Sequence, residues 1–267
     1  MILYFSGTGN CLSVARRIAS ETADKAISLY DAANADLSSE KVIGLVYPSY
    51  YFNPPRPVPI LLDRLTLPTN AYVFIVIVCG AQTGNSIWAV EQLLRRKGVR
   101  VAYCHKLRMP DCSAIGFGRN PNDQTWKFER FASRLDRIIS DVKARRHAHH
   151  FGAWGPAGWL CALPSVEKRT WPLLLPHVNA DKCIGCGVCE RVCPQGNISL
   201  VLLPKNSSSE RNSESNGEVA QIGGKCVECL SCVHFCQQQA IEIAGRPTPK
   251  LHQYHNPNVK LKDLLRR

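Results

Sequence analysis

Cys183-Ile-Gly-Cys186-Gly-Val-Cys189-Glu-Arg-Val-Cys193-Pro194 and Cys226-Val-Glu-Cys229-Leu-Ser-Cys232-Val-His-Phe-Cys236-Gln237 are two runs of one pattern, C-x2-C-x2-C-x3-C. The second repeats the first at an offset of 43 residues: Lys182 and Lys225 precede the runs, and Ile198 with Leu200 and Ile241 with Ile243 follow them. Three thiolates three residues apart let a tight loop wrap a cube of iron and sulfide, and the fourth sits where the chain turns away. Zinc is the alternative, but structural zinc takes paired C-x2-C units without an ordered third cysteine. A disulfide framework fits less well still, because the count of 13 cysteines is odd and the chain is long.

The spacing resembles that of bacterial two-cluster ferredoxins, in which the fourth cysteine of each run serves the other cluster. That resemblance implies two [4Fe-4S] clusters, one on Cys183, Cys186, Cys189 and Cys236, the other on Cys226, Cys229, Cys232 and Cys193. The proline that follows the last cysteine is present as Pro194 and replaced by Gln237, which bears on the turn and not on the ligands.

At the other end of the chain, the apolar run Met1–Phe5 passes through Ser6-Gly7-Thr8-Gly9-Asn10-Cys11 into a segment with apolar positions 12, 15, 18 and 19. This reads as strand, glycine loop and helix. Such a loop offers backbone N–H groups and short hydroxyls to an anion at the positive end of the helix dipole. The dinucleotide fingerprint fails at Leu12, and the Walker pattern fails for want of G-K-[ST]. The alternation continues: strands are expected at 26–29, 42–46, 71–78 and 99–104, and helices at 58–65 and 87–97. Alternating strands and helices specify a parallel sheet covered on both faces, with ligand loops gathered at a topological switch point. Three loops meet there: Ser6 to Cys11; Pro48, Ser49, Tyr50, Tyr51, Phe52 and Asn53; and Cys79, Gly80, Ala81, Gln82, Gly84 and Asn85. The aromatic faces of the second suit stacking on a planar heterocycle.

Tyr4-Phe5-Ser6-Gly7-Thr8-Gly9-Asn10 resembles the phosphate loop of flavodoxins. Joined to the paired cysteine runs, with Met109-Pro110 and Tyr254-His255-Asn256-Pro257, the chain resembles the flavodoxin–ferredoxin fusion family, sometimes labelled ferrodoxins. The resemblance implies an α/β fold: a five-stranded parallel sheet in the order 2-1-3-4-5 with helices on both faces, and a small α+β two-cluster domain. It also implies FMN in the three loops. Cys11 stands where flavodoxins commonly carry a hydroxyl, and a thiol donates less well to phosphate. No glycine accompanies Asn53, where the family often has one.

The expected organisation is a flavin domain at 1–146, a linker rich in Trp and Pro at 147–180, the cluster domain at 181–245 with a polar insert at 206–217, and a basic tail at 246–267. A helix at 124–144 closes the first domain, and His147, His149 and His150 read as its solvated end. The amphipathic stretch Val259–Leu265 is suited to docking on the first domain. The longest apolar run, Ala71 to Cys79, is too short to cross a membrane, and Met1–Asn10 lacks a basic leader, so a cytoplasmic protein is expected. The formal net charge is +12, with 14 Lys and Arg against 5 Asp and Glu between Arg95 and Arg146. That segment is a solvated face or a docking surface for an acidic redox partner.

Clusters carry single electrons, and a flavin joins one-electron to two-electron chemistry. The reading is therefore electron transfer between two clusters and FMN, with redox proteins as partners and no nucleic acid. Two alternatives remain: an FMN-dependent reductase of a specific small molecule or metal centre, and a non-redox binding module with structural clusters. No general base or nucleophile set stands near the three loops.

Overall fold

The computed structural model describes residues 1–33, 35–149, 163, 165, 175–202, 217–243, 247–249 and 252–265. Most of the expected Trp/Pro linker and nearly all of the polar insert lie outside these residues.

The chain begins with strand β1 (Ile2–Tyr4), helix α1 (Asn10–Thr22), β2 (Ala26–Ser28) and the short α2 (Leu29–Ala32). It continues through β3 (Val42–Pro48), α3 (Pro57–Arg64), β4 (Tyr72–Cys79), α4 (Ser86–Arg96), β5 (Val101–Arg108), α5 (Lys127–Lys143) and β6 (Ala148–His149). The strands form one parallel sheet in the order β2-β1-β3-β4-β5-β6. Its first five strands keep the flavodoxin-like order 2-1-3-4-5, with the switch point between β1 and β3.

Alternation along β4 sorts the core into two layers, because successive strand residues face opposite ways. Val73, Ile75 and Ile77 pack with Val58 and Leu62 of α3 and with Val90 and Leu94 of α4. Phe74, Val76 and Val78 pack with Val14 and Ile18 of α1 and with Leu135, Ile138 and Val142 of α5. Burial of β4 on both faces explains its continuous apolar run.

Four expectations need correction. The sheet has a sixth strand beyond the expected five. Of the histidines expected as a solvated helix end, His147 precedes the edge strand β6, His149 belongs to it and His150 lies outside the described residues. His149 Nδ1 pairs with Glu91 on α4 at 3.1 Å, and Tyr72 donates from its hydroxyl to the Arg146 carbonyl at 2.7 Å. The closing helix starts at Lys127, because Asn120 caps a 3-10 turn at Pro121–Gln124. Pro176–Val178, expected within the linker, is strand β7.

The second unit is built on the repeat. Each cysteine run ends in a one-turn helix, α6 (Val188–Val192) and α7 (Ser231–Phe235), followed by a strand. The first strand, β8 (Ile198–Leu202), pairs antiparallel with β9 (Glu218–Ile222). The second, β10 (Ile241–Ile243), pairs antiparallel with β7. Backbone conformation repeats as well: Gly185, Gly187 and Gly196 have φ of 69°, 70° and 59°, and their equivalents Glu228, Leu230 and Gln239 have 50°, 57° and 53°. The 3-10 turn Cys112–Phe117 after β5 sends Ile115 into the core of this unit, among Leu230, Val233 and Ile241.

Candidate functional site

The four thiols expected for each cluster are brought together crosswise. Cys183, Cys186, Cys189 and Cys236 line one small cavity, walled by Leu200 and Ile241. Cys193, Cys226, Cys229 and Cys232 line a second, walled by Ile198 and Val227. Burial pushes the Cys189 and Cys229 thiols up to about 12. A coordinated metal is what converts such buried thiols to thiolates. Backbone N–H groups of Asn197 and Ala240 donate to Cys193 and Cys236 at 3.3 and 3.2 Å, the kind of bond that tunes a cluster's potential.

A larger cavity of about 330 Å³ lies at the switch point of the sheet. That is in the range of small-molecule sites. The first loop contributes Ser6, Gly7, Thr8, Asn10 and Cys11; the second Pro48, Ser49, Tyr50, Tyr51 and Phe52; the third Cys79, Gly80, Ala81 and Gln82. Gly9, Asn53, Gly84 and Asn85 were expected with them and stand behind the wall. Asn85 donates from its backbone to the Phe52 carbonyl at 2.6 Å and from its amide to Asn53 Oδ1 at 3.3 Å. Gly84 has φ of 53° and packs on Phe52. These residues hold the aromatic loop, in which Tyr51 and Phe52 carry positive φ of 48° and 64°. Gly9 faces Val259 and Asn256 of the C-terminal segment.

Sequence reasoning missed a fourth loop, Pro110, Asp111, Cys112 and Ser113, and the contribution of Glu228, Cys229 and Leu230 from the cluster unit. The fourth loop is braced by Lys127, whose ammonium donates to the Gly80 carbonyl at 2.8 Å and to Gln124, while Gln124 accepts from the Asp111 backbone at 3.2 Å. Thr8 Oγ1 lies 2.8 Å from Cys112 Sγ, and burial holds that thiol up at about 12.

The cluster unit is bonded into this wall. Ser231 Oγ donates to the Gly7 carbonyl at 2.7 Å. A Cβ on Gly7 would meet the Cys229 carbonyl at 2.5 Å, so this position tolerates only glycine. His234 Nδ1 accepts from the Tyr254 backbone at 3.0 Å, which leaves Nε2–H to donate to the Cys112 carbonyl at 3.1 Å. Burial lowers that imidazole to about 4 and keeps it neutral. Tyr254 and Asn256 both donate to Asn10 Oδ1, at 2.7 and 3.1 Å. The tail expected to dock does so: Val259 packs on Gly9, and Asp263 pairs with Arg16 at 3.1 Å.

These residues fit a flavin phosphate group. The first turn of α1, with Asn10 and Cys11 on the cavity, has N–H groups without helical acceptors. Three aromatic side chains form one wall. Glu228 is 4% exposed, accepts from the Tyr51 hydroxyl on Oε2, and leaves a buried Oε1 without a partner among the described residues. Burial raises this carboxyl to about 7, against the hydrogen bond from Tyr51.

No helix among the described residues is long and apolar enough to cross a membrane. Residues 182–241 match a protein-family model, the 4Fe-4S dicluster domain. The indoleacetate decarboxylase activating enzyme of Tractidigestivibacter scatoligenes is 34% identical over 87 residues, covering 32% of this chain and 25% of that enzyme's length. Ferredoxin-3 of Nostoc is 28% identical over 95 residues, 33% of this chain and 86% of the ferredoxin. The solution structure of Megasphaera elsdenii flavodoxin aligns with 39% of this chain and 82% of its own, at 22% identity and a TM-score of 0.33. The second unit is thus a ferredoxin-like 4Fe-4S domain, joined to an α/β unit of flavodoxin-like strand order.

Proposed function

We propose that this chain is an iron–sulfur flavoprotein that passes electrons between two [4Fe-4S] clusters and a bound FMN. One observation carries the reading: Cys229 and Leu230 line both the inner four-cysteine cavity and the large cavity at the switch point. A cluster on Cys193, Cys226, Cys229 and Cys232 would share a wall with the flavin, with one ligand loop between them. The other four-cysteine site contains the exposed Cys186, which suits exchange with an external redox protein. A bound flavin would accept single electrons and deliver pairs. The chain's own residues would do the rest: α1 and the first loop hold the phosphate, Tyr50, Tyr51 and Phe52 flank the ring, and the cluster loop closes the cavity against water.

The test is composition. Protein purified without oxygen is expected to contain about eight iron, about eight acid-labile sulfide and about one FMN per chain. Iron and sulfide at that level with no flavin, and no uptake of added FMN, would contradict the reading.

A further inference from the structure

The two cysteine runs differ at the positions that reach the large cavity. In the first run the left-handed positions are Gly185 and Gly187, the residue that adopts φ of 69° and 70° without cost. In the second run they are Glu228 and Leu230, at 50° and 57°. A side chain in that conformation is strained and persists only where the surrounding structure holds it. Both replacements line the cavity, whereas Gly185 lies against the Glu218 backbone and Gly187 near Leu200. Glu228 is oriented by the Tyr51 hydroxyl on Oε2, and its buried Oε1 has no partner among the described residues. An unfilled acceptor on the wall of a ligand cavity calls for a donor on the ligand.

We infer that Glu228, a residue of the cluster-binding loop, is a flavin-binding residue whose Oε1 accepts a hydrogen bond from an N–H of the FMN ring or a hydroxyl of its ribityl chain. Leu230 supplies apolar wall beside it. The flavin site is therefore completed by the cluster domain. This rests on the FMN reading above and adds to it a ligand contact that a flavodoxin-like unit does not contain by itself.

The experiment is FMN affinity, read by quenching of flavin fluorescence, on the holoprotein with iron and sulfide measured in every sample. Glu228→Gly restores the residue of the first run and relieves the left-handed strain. It is expected to keep its iron and sulfide while binding FMN at least about tenfold more weakly. Glu228→Gln retains an acceptor oxygen and is expected to stay within a few-fold of the native chain. An FMN analogue methylated on the ring N–H separates the two donors: weaker binding to the native chain but not to Glu228→Gly assigns the ring, and equal binding to the native chain assigns the ribityl hydroxyl. Native affinity in Glu228→Gly, or loss of its iron, would overturn the inference by making Glu228 irrelevant or structural. A native chain that binds no FMN would instead overturn the flavin reading itself.

Discussion

Gly7 is the residue on which the two units meet, since its missing side chain is the space the Cys229 carbonyl occupies. Gly7→Ala is expected to destabilise the chain by about 1–3 kcal/mol, because a methyl group there forces the cluster loop outward. Urea unfolding followed by circular dichroism measures this; an unchanged midpoint would show that the loop yields freely. Asn10 serves differently. Its Oδ1 takes two buried hydrogen bonds, from Tyr254 and Asn256. Asn10→Ala strands both donors and is expected to cost about 1–3 kcal/mol in the same experiment. The eight clustered cysteines and most of the cavity loops were legible in the sequence because both are local: thiol spacing is set by a loop, and loops at the ends of strands converge by topology. Glu228 was not legible as a site residue, since its role depends on docking across 177 positions from Tyr51. The available signal was within the repeat, where Glu228 and Leu230 replace Gly185 and Gly187.

Among the elements, β6 was the least legible. β6 is two residues long, too short for any periodicity to reveal, and a helix end with three histidines gives no strand signal. Its link to α4 runs through His149, whose side chain is 39% exposed, so His149→Ala is expected to cost under about 1 kcal/mol. A larger loss of stability would show that the edge strand supports the sheet. Residues 254–263 brace the first loop and the start of α1 through Tyr254, Asn256, Val259 and Asp263. Deleting residues 252–265 is expected to raise amide hydrogen exchange at the first turn of α1 while leaving β4 protected. Unchanged exchange there would mean that the segment is ornamental to the loop.

At the scale of the molecule, the two units share a wall, because the same loop faces both cavities. Removing iron should therefore disturb flavin binding. Stripping the clusters with an iron chelator and an oxidant is expected to weaken FMN affinity at least about tenfold, since the ligand loop loses the metal that fixes it. An affinity unaffected by iron removal would show that the loop keeps its shape alone. The sheet order and the crosswise cysteine sets were implied by the resemblances to flavodoxins and two-cluster ferredoxins, but the mutual placement of the units was not, because it is written in scattered contacts such as Ser231 with Gly7 and His234 with Cys112. That placement puts the inner four-cysteine site beside the large cavity, and a kinetic measurement tests electron transfer across the shared wall most directly. After rapid mixing of the FMN-loaded protein with a reductant of the clusters, the flavin absorbance is expected to bleach at a rate independent of protein concentration, as transfer within one chain requires. A bleaching rate that rises in proportion to protein concentration would contradict it, placing the electron exchange between chains.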